Sequence, residues 1–328
     1  MSLARSRRRR ITALAALTVL GLFASACGGN GDGGTSETRS VNGLSYDLSP
    51  EQSGRIHSPK VDSIAALVPQ AIRDRGTLVV TGTAGSTPPL GFYATDDRTV
   101  VGSEVDFGIL IGDILGLKVE RRNGDFAQNF VKIDSGEADL MVSNATVTEE
   151  RKEKYDFATY RLDNIALEVP GNANWTYQDR KSLAGKKIGV TAGTNQEQLL
   201  VAWNDQNAAE GLPKLELAYY QQASDYYLAL SSNRIDGYVG PNPSAQYHSA
   251  TTGNKVLTTW SGAGDALQAE IAAMTRKDNG LIGAVQQAIQ YAIDHGTYKQ
   301  VLDRWGLSGE SVSQSRINPP GLPKKKKG

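Results

Sequence analysis

Hydrophobic and polar positions along this chain fall into short apolar runs separated by longer amphipathic stretches. Leu78–Gly85 (LVVTGTAG) and Lys187–Thr194 (KIGVTAGT) each read as a strand followed by a Gly-containing turn, and Leu140–Val142 is a run suited to a buried strand. Helical spacing marks Glu104–Leu115, Phe126–Ser135, Asn195–Asn207 and Asp225–Ser232. A second echo joins Ser135–Val142 (SGEADLMV) to Ser232–Val239 (SNRIDGYV): in both, a helix leads into a turn before an aspartate and a strand follows. The paired echoes predict two similar α/β units with mostly parallel strands rather than one continuous sheet. Beyond them, Gly280–Trp305 predicts two helices broken at Gly296.

The two ends of the chain have a different character. Arg5 and Arg7 to Arg10 precede an uncharged apolar run from Ile11 to Ala26, shorter than the roughly 20 residues of a spanning helix, so residues 1–26 read as an export signal. The chain's one cysteine, Cys27, directly follows Ala24, Ser25 and Ala26. That position resembles the lipobox of bacterial lipoproteins, in which the cysteine is acylated, although the usual leucine three places earlier is Ala24. Residues 27–60, poor in apolar periodicity, are expected to form a flexible tether to the membrane. Residues 311–328 end in a Pro-rich stretch and Lys324–Lys327, and are expected to be disordered and solvated.

Five of the 35 basic residues lie in the first 26 positions, so the remainder carries 30 basic against 35 acidic residues, a formal charge of −5. That balance argues against nucleic acid as a partner. His57, His248 and His295 are far apart with no HExxH pattern, and no GxSxG elbow occurs, so neither a metal nor any other cofactor is expected.

Candidate binding chemistry concentrates in DSGEADLMVSNATVTEERKEKYDFATY, Asp134–Tyr160. A strand ends there on Ser143, Asn144 and Thr146, Thr148 can cap a short helix opened by Glu149 and Glu150, and Arg151 stands beside the polar strand end. A guanidinium pairs two donors with two carboxylate oxygens, and neighbouring hydroxyls can satisfy the remaining lone pairs. By itself TEERKEK reads as a solvated helix face of alternating charge. In the second unit, Thr194 and Glu197 form a capping box whose first-turn amides favour an anion.

This segment resembles the TxxR signature of the amino-acid-binding proteins that serve ABC importers, the extracellular solute-binding proteins of family 3. The resemblance runs from about Ile64 to Leu307 through PPLGFY, VGSEVDFGILIGDILG, LAGKKIGVTAGTNQE, NRIDGYV and HGTYKQVLDRWG. It implies a type II periplasmic-binding fold: lobe one from 61–168 plus 260–310, lobe two from 169–259, and a hinge of two crossing strands near Ala166–Pro170 and Lys255–Thr259. It also implies that Arg151, with Thr146 and Asn144, grips a ligand carboxylate from lobe one while Thr194 and Asn195 bind from lobe two. Phe126 falls where an aromatic ring covers the ligand side chain. Its usual aromatic counterpart reads Thr87, and Thr191 is a further side-chain contact. The family's acid for the ligand amine reads Pro241, leaving the Asn242 amide, backbone carbonyls, an unassigned acid, or a ligand without an α-amine.

The expected role is a monomeric, lipid-anchored receptor on the extracytoplasmic face that hands a small carboxylate ligand to ABC permease subunits without catalysis. Two other roles share these features: a cyclohexadienyl-dehydratase-like enzyme using one of Glu104, Glu149, Glu168 or Glu197 as its acid, and a ligand-sensing module for a membrane partner.

Overall fold

The structure is a computed structural model that describes residues 37–324. The export signal and Cys27 lie outside the described residues. From residue 37 onward the expected tether is instead folded. Strands β1 (Thr38–Val41) and β2 (Leu44–Asp47) pair antiparallel around Asn42 and Gly43, both at positive φ, the pairing of residues that a tight hairpin turn favours. Tyr46 anchors the hairpin, edge-on to Tyr247 at 5.1 Å between ring centroids and 6.4 Å from Trp305. Three apolar side chains at Val41, Leu44 and Tyr46 are too few to register as periodicity. They hold the segment because they reach a core built elsewhere in the chain.

Two short helices, α1 (Asp62–Ala65) and α2 (Gln70–Arg75), lead into β3 (Thr77–Thr81). A small hairpin, β4 (Phe92–Tyr93) and β5 (Val100–Val101), then precedes α3 (Ser103–Leu115), β6 (Lys118–Arg121), α4 (Phe126–Ser135), β7 (Leu140–Thr146) and β8 (Tyr155–Leu162). After Asp163 the chain enters the second lobe with β9 (Asn164–Val169), β10 (Lys187–Val190), α5 (Asn195–Ala209), β11 (Glu216–Tyr219), α6 (Ala223–Ser231), β12 (Gly237–Pro241), α7 (Asn242–Thr252) and β13 (Lys255–Ser261). It returns through β14 (Glu270–Arg276), α8 (Ile282–Asp294) and α9 (Thr297–Arg304), the last two separated at Gly296, where φ is +83°.

Each lobe holds a five-stranded sheet, ordered β6-β3-β7-β14-β8 in lobe one and β11-β10-β12-β9-β13 in lobe two. The expectation of mostly parallel strands holds for only half of each sheet: β3 is parallel to β6 and β7, and β10 to β11 and β12. The strands nearest the crossings, β8 and β14 in one sheet and β9 and β13 in the other, pair antiparallel. This relocates the hinge. Ala166–Pro170 and Lys255–Thr259 are not crossing segments: Glu168 and Val169 pair with Val256 and Lys255 inside lobe two. The chain crosses at Asp163 and returns through residues 262–269.

Lobe one owes its larger core to α3, buried along most of its circumference and apolar on most sides, as a helix enclosed by other elements must be. Phe107, Ile111, Leu140, Ile271, Val285 and Trp305 meet there. A separate cluster of Ile165, Leu167, Ile188, Leu200, Trp203 and Val239 forms the core of lobe two. The expected disordered tail is also corrected up to residue 324. Ile317 bridges to Ala158 and Leu322 to Thr148, and Leu322 packs with Ala263 and Ala269 at the return crossing. Proline removes donors and fixes φ without preventing an extended segment from docking through its remaining groups. Lys325–Lys327 lie outside the described residues.

Trp305 ties the hairpin to lobe one. It is buried, meets Phe92 at 5.8 Å, and donates its indole N–H to Asp106 Oδ2 at 2.8 Å. Trp305→Ala is expected to lower unfolding free energy by about 3–5 kcal/mol, read as a reduced urea midpoint with an unchanged slope.

Candidate functional site

The carboxyl end of β7 is shaped by a buried acid. Glu104, in the first turn of α3, accepts the Asn144 backbone N–H at Oε2 (2.9 Å) and the Tyr160 hydroxyl at the same oxygen. Asn144 has φ of +50° within the strand, a conformation uncommon outside glycine. Its side-chain oxygen accepts from Arg161, which also pairs with Glu310, so the unusual backbone is held from both sides.

Between the lobes lies a cavity. Lobe one contributes Thr83, Ser86, Glu104, Phe126, Ser143 and Asn144, and lobe two contributes Thr191, Thr194, Asn195, Gln196, Tyr226, Tyr238 and Pro241, among others. The structure therefore brings together Asn144, Phe126, Thr191, Thr194 and Asn195 of the residues expected from sequence. Across the cleft, Gln222 Nε2 donates to Asp125 Oδ1 at 2.7 Å, joining the residues that precede α6 and α4.

Four expected residues stand elsewhere. The Thr146 hydroxyl is turned away from the cavity and donates to Asp163 Oδ2 at 2.7 Å, the oxygen that also accepts from Asn195 Nδ2 at 2.9 Å. Thr87 lines a neighbouring open recess with Tyr227, its carbonyl accepting the Ser244 hydroxyl at 3.2 Å. Asn242 begins α7, and its amide donates to Glu310 at 3.3 Å beside a different cavity, which removes it as a partner for a ligand amine.

Arg151 is the fourth. Half-buried in a recess that shares Thr194 and Asn195 with the main cavity, it donates from Nη1 to the Thr146 carbonyl (2.8 Å) and from Nη2 across the cleft to the Gly193 carbonyl (2.9 Å). Its guanidinium carbon lies 5.4 Å from the Phe126 ring centre and 5.1 Å from that of Phe130, an arrangement that favours a cation. Withdrawal from water lowers its pKa to about 10, with Asp163 opposing, so it stays charged at neutral pH. The helix expected after Thr148 is a single 3-10 turn, Arg151–Glu153, with Thr148 Oγ1 accepting the Arg151 N–H at 3.1 Å.

The capping box forms with its acid side shifted by one residue. Thr194 Oγ1 accepts the Glu197 N–H at 3.2 Å, and Glu197 Oε2 reaches back to the Gly193 N–H at 2.7 Å. The next amides, on Asn195 and Gln196, belong to the first turn of α5, where N–H groups have no acceptor within the helix. Of the four acids the enzyme reading named, only Glu104 reaches the cavity. Glu149 pairs with Lys152, Glu168 is buried beneath His248, and Glu197 caps α5.

Sequence reasoning missed the aromatic shelf. Tyr226 and Tyr238 stack 3.7 Å apart at 8° on the lobe-two wall. Their periodic positions in DYYLAL and DGYV mark burial but do not distinguish core from cleft. Gln196, which the sequence marks only as part of a helix start, lines the cavity, with its Oε1 buried and without a hydrogen-bond partner.

The family model for bacterial extracellular solute-binding proteins, family 3, matches residues 79–308. The L-cystine-binding protein TcyJ of Escherichia coli (strain K12) is 28% identical over 235 residues, covering 71% of this chain and 84% of that protein. The arginine-binding protein ArgT of Corynebacterium glutamicum is 25% identical over 266 residues, covering 80% and 84%. Among solved structures, an amino acid ABC transporter substrate-binding protein, AbpA from Streptococcus pneumoniae bound to L-arginine, has a TM-score of 0.61 at 25% identity, covering 73% of this chain and 99% of that one.

Asp163 offers a test of the geometry. Burial raises its pKa to about 6, outweighing the Thr146 hydrogen bond and the Arg161 charge. An acid whose folded value exceeds its unfolded value of about 4 holds its proton more tightly when folded, so stability falls as pH rises from about 4 to about 6. Asp163→Asn keeps an oxygen for Thr146 and Asn195 and removes the charge. Relative to the parent, the variant is expected to gain about 2–3 kcal/mol between pH 4 and pH 7, measured by urea unfolding; parallel pH profiles would count against the assignment.

Proposed function

The chain belongs to the bacterial extracellular solute-binding proteins, family 3, with the two-lobed type II periplasmic-binding fold, and we propose that it captures a small amino-acid-like carboxylate between its lobes for an ABC importer. The observation that carries this reading is Arg151, a charged group at the cleft edge whose Nη2 is bonded to a lobe-two carbonyl, Gly193. When the lobes part, that carbonyl leaves and the guanidinium is free to receive a carboxylate, the partner its planar fork fits best. The first turn of α5 then approaches the same anion on reclosure. Thr194 and Asn195, which line both the Arg151 recess and the main cavity, connect carboxylate to side-chain space. With Pro241 on the cavity wall, Glu104 is the one acid there to face the ligand's ammonium.

Of the residues assigned to the ligand, Asn144, Phe126, Thr191, Thr194 and Asn195 contribute through the cavity wall and Arg151 through its edge. Thr146 acts indirectly, orienting Arg151 with its carbonyl and Asp163 with its hydroxyl. Closure is favoured because the bound ligand touches both walls only when they are together, and permease subunits recognise that closed form. The ligand is released unchanged. Glu104, the acid that a dehydratase would use, already accepts hydrogen bonds from Tyr160 and the Asn144 amide. The protein works as a monomer outside the cytoplasm, held to the membrane by an acylated Cys27.

A panel of amino acids and small carboxylates is expected to raise the melting temperature only for true ligands, since about 100-fold excess over the dissociation constant adds about 2.7 kcal/mol. Arg151→Ala should abolish that shift, and unchanged binding by the variant would remove the proposed anchor.

A further inference from the structure

We propose that residues 316–324 form a strap that positions the loop carrying Arg151 and latches it to lobe two, a role that rests on the anchor assigned to Arg151 above. This segment lies beyond the family match, which ends at residue 308. β8 is the outer strand of the lobe-one sheet, and the segment occupies its free edge. Thr159 donates its N–H to the Arg316 carbonyl and Asn318 donates its N–H to the Phe157 carbonyl, each at 3.1 Å, while Asn318 Oδ1 accepts the Phe157 N–H at 2.9 Å. An outer strand leaves such groups to be satisfied. Pro319, Pro320 and Pro323 reduce the entropy lost in ordering a segment that has no regular element of its own.

Beyond Asn318 the strap lies on the Arg151 loop. That loop has only a single 3-10 turn, Arg151–Glu153, and one turn repays little of the entropy of fixing it. The strap supplies what the turn lacks. Leu322 donates its N–H to the Val147 carbonyl (3.1 Å) and accepts the Glu149 N–H (2.9 Å). The Gly321 N–H reaches Glu149 Oε1 at 2.8 Å, Lys152 Nζ reaches the Pro319 carbonyl at 3.0 Å, and Lys324 pairs with Glu153. A Cβ at position 321 would stand 2.3 Å from the Val147 carbonyl oxygen, so this approach requires glycine. Leu322, buried against Ala263 and Ala269, seats the strap on the return crossing. One residue further, the Pro323 carbonyl accepts Gln198 Nε2 of α5 at 2.9 Å, and Gln198 itself lines the Arg151 recess. The same short segment therefore braces the loop and joins it to the opposite lobe.

The test needs no ligand. It compares the parent with a chain ending at Ser315, a control chain ending at Lys324, Gly321→Ala and Gln198→Ala. Without the strap, by truncation at Ser315 or by Gly321→Ala, amides of residues 149–154 are expected to exchange hydrogen at least about tenfold faster, while those of β10 keep the parent rate. For the latch, Val131→Cys on α4 and Leu228→Cys on α6, both exposed, carry spin labels in a Cys27→Ser background. Gln198→Ala is expected to spread the label separation toward longer distances at an unchanged urea midpoint. Parent-like exchange in both strap variants, or equal acceleration in β10, overturns the bracing role. Parent-like distances in Gln198→Ala overturn the latch, and a change as large in the control ending at Lys324 overturns both. With L-arginine, L-cystine and L-glutamine as calorimetric probes, any that binds the parent is expected to bind Gly321→Ala about fivefold more weakly, as the competent fraction falls. Should no amino acid bind the parent, the amino-acid reading fails while exchange and distance still decide the strap.

Discussion

One oxygen of Asp163 joins the two lobes at the point where the chain crosses between them. The chain leaves the first sheet at Leu162 and enters the second at Asn164, so this single residue is the outward crossing. Its Oδ2 accepts from Thr146 of lobe one and Asn195 of lobe two, and its backbone carbonyl accepts the Gly262 N–H of the return crossing at 2.8 Å. A Cβ at position 262 would come within 1.7 Å of the same carboxylate oxygen, so both crossings meet where only glycine fits. Burying an acid there is unfavourable, as its raised pKa records. The hydrogen bonds that offset the burial tie a strand of lobe one to the first turn of α5 in lobe two.

The rest of the cleft is arranged around that fixed point. Thr146 and Asn195 are committed to the crossing, while Arg151 and the Gln222–Asp125 bond span the opening itself. Arg151's bond to the Gly193 carbonyl gives a half-buried guanidinium an acceptor on the far wall in the closed molecule. Glu104 and Arg161 set the floor beneath Asn144 in a similar way, with acid and base matched internally.

How much of this was legible in the sequence depends on how local each signal is. The Phe126–Ser135 helix, the capping box at Thr194 and Glu197, and the break at Gly296 are fixed by neighbours within a turn or two, and the structure reproduces them. The hairpin at 38–47 carried a local signal, Asn42-Gly43, that its polar surroundings obscured. Residues 311–324 carried none, since their order comes from pairing with strands far away in the chain. Thr146 and Asn242 had the right chemistry for a ligand, but Asp163 and Glu310 reached them first.

By itself the sequence determined the two repeated α/β units, four of the helices to within about two residues, and the segment in which Arg151 stands beside a polar strand end, because period, caps and motif chemistry act over a few residues. Only the tertiary structure decided that the sheets are half antiparallel, that the crossing lies at Asp163, that Tyr226 and Tyr238 face the cleft, and that Arg151 bridges it. Those outcomes depend on which distant groups come within hydrogen-bonding or packing distance, and no periodicity along the chain encodes that.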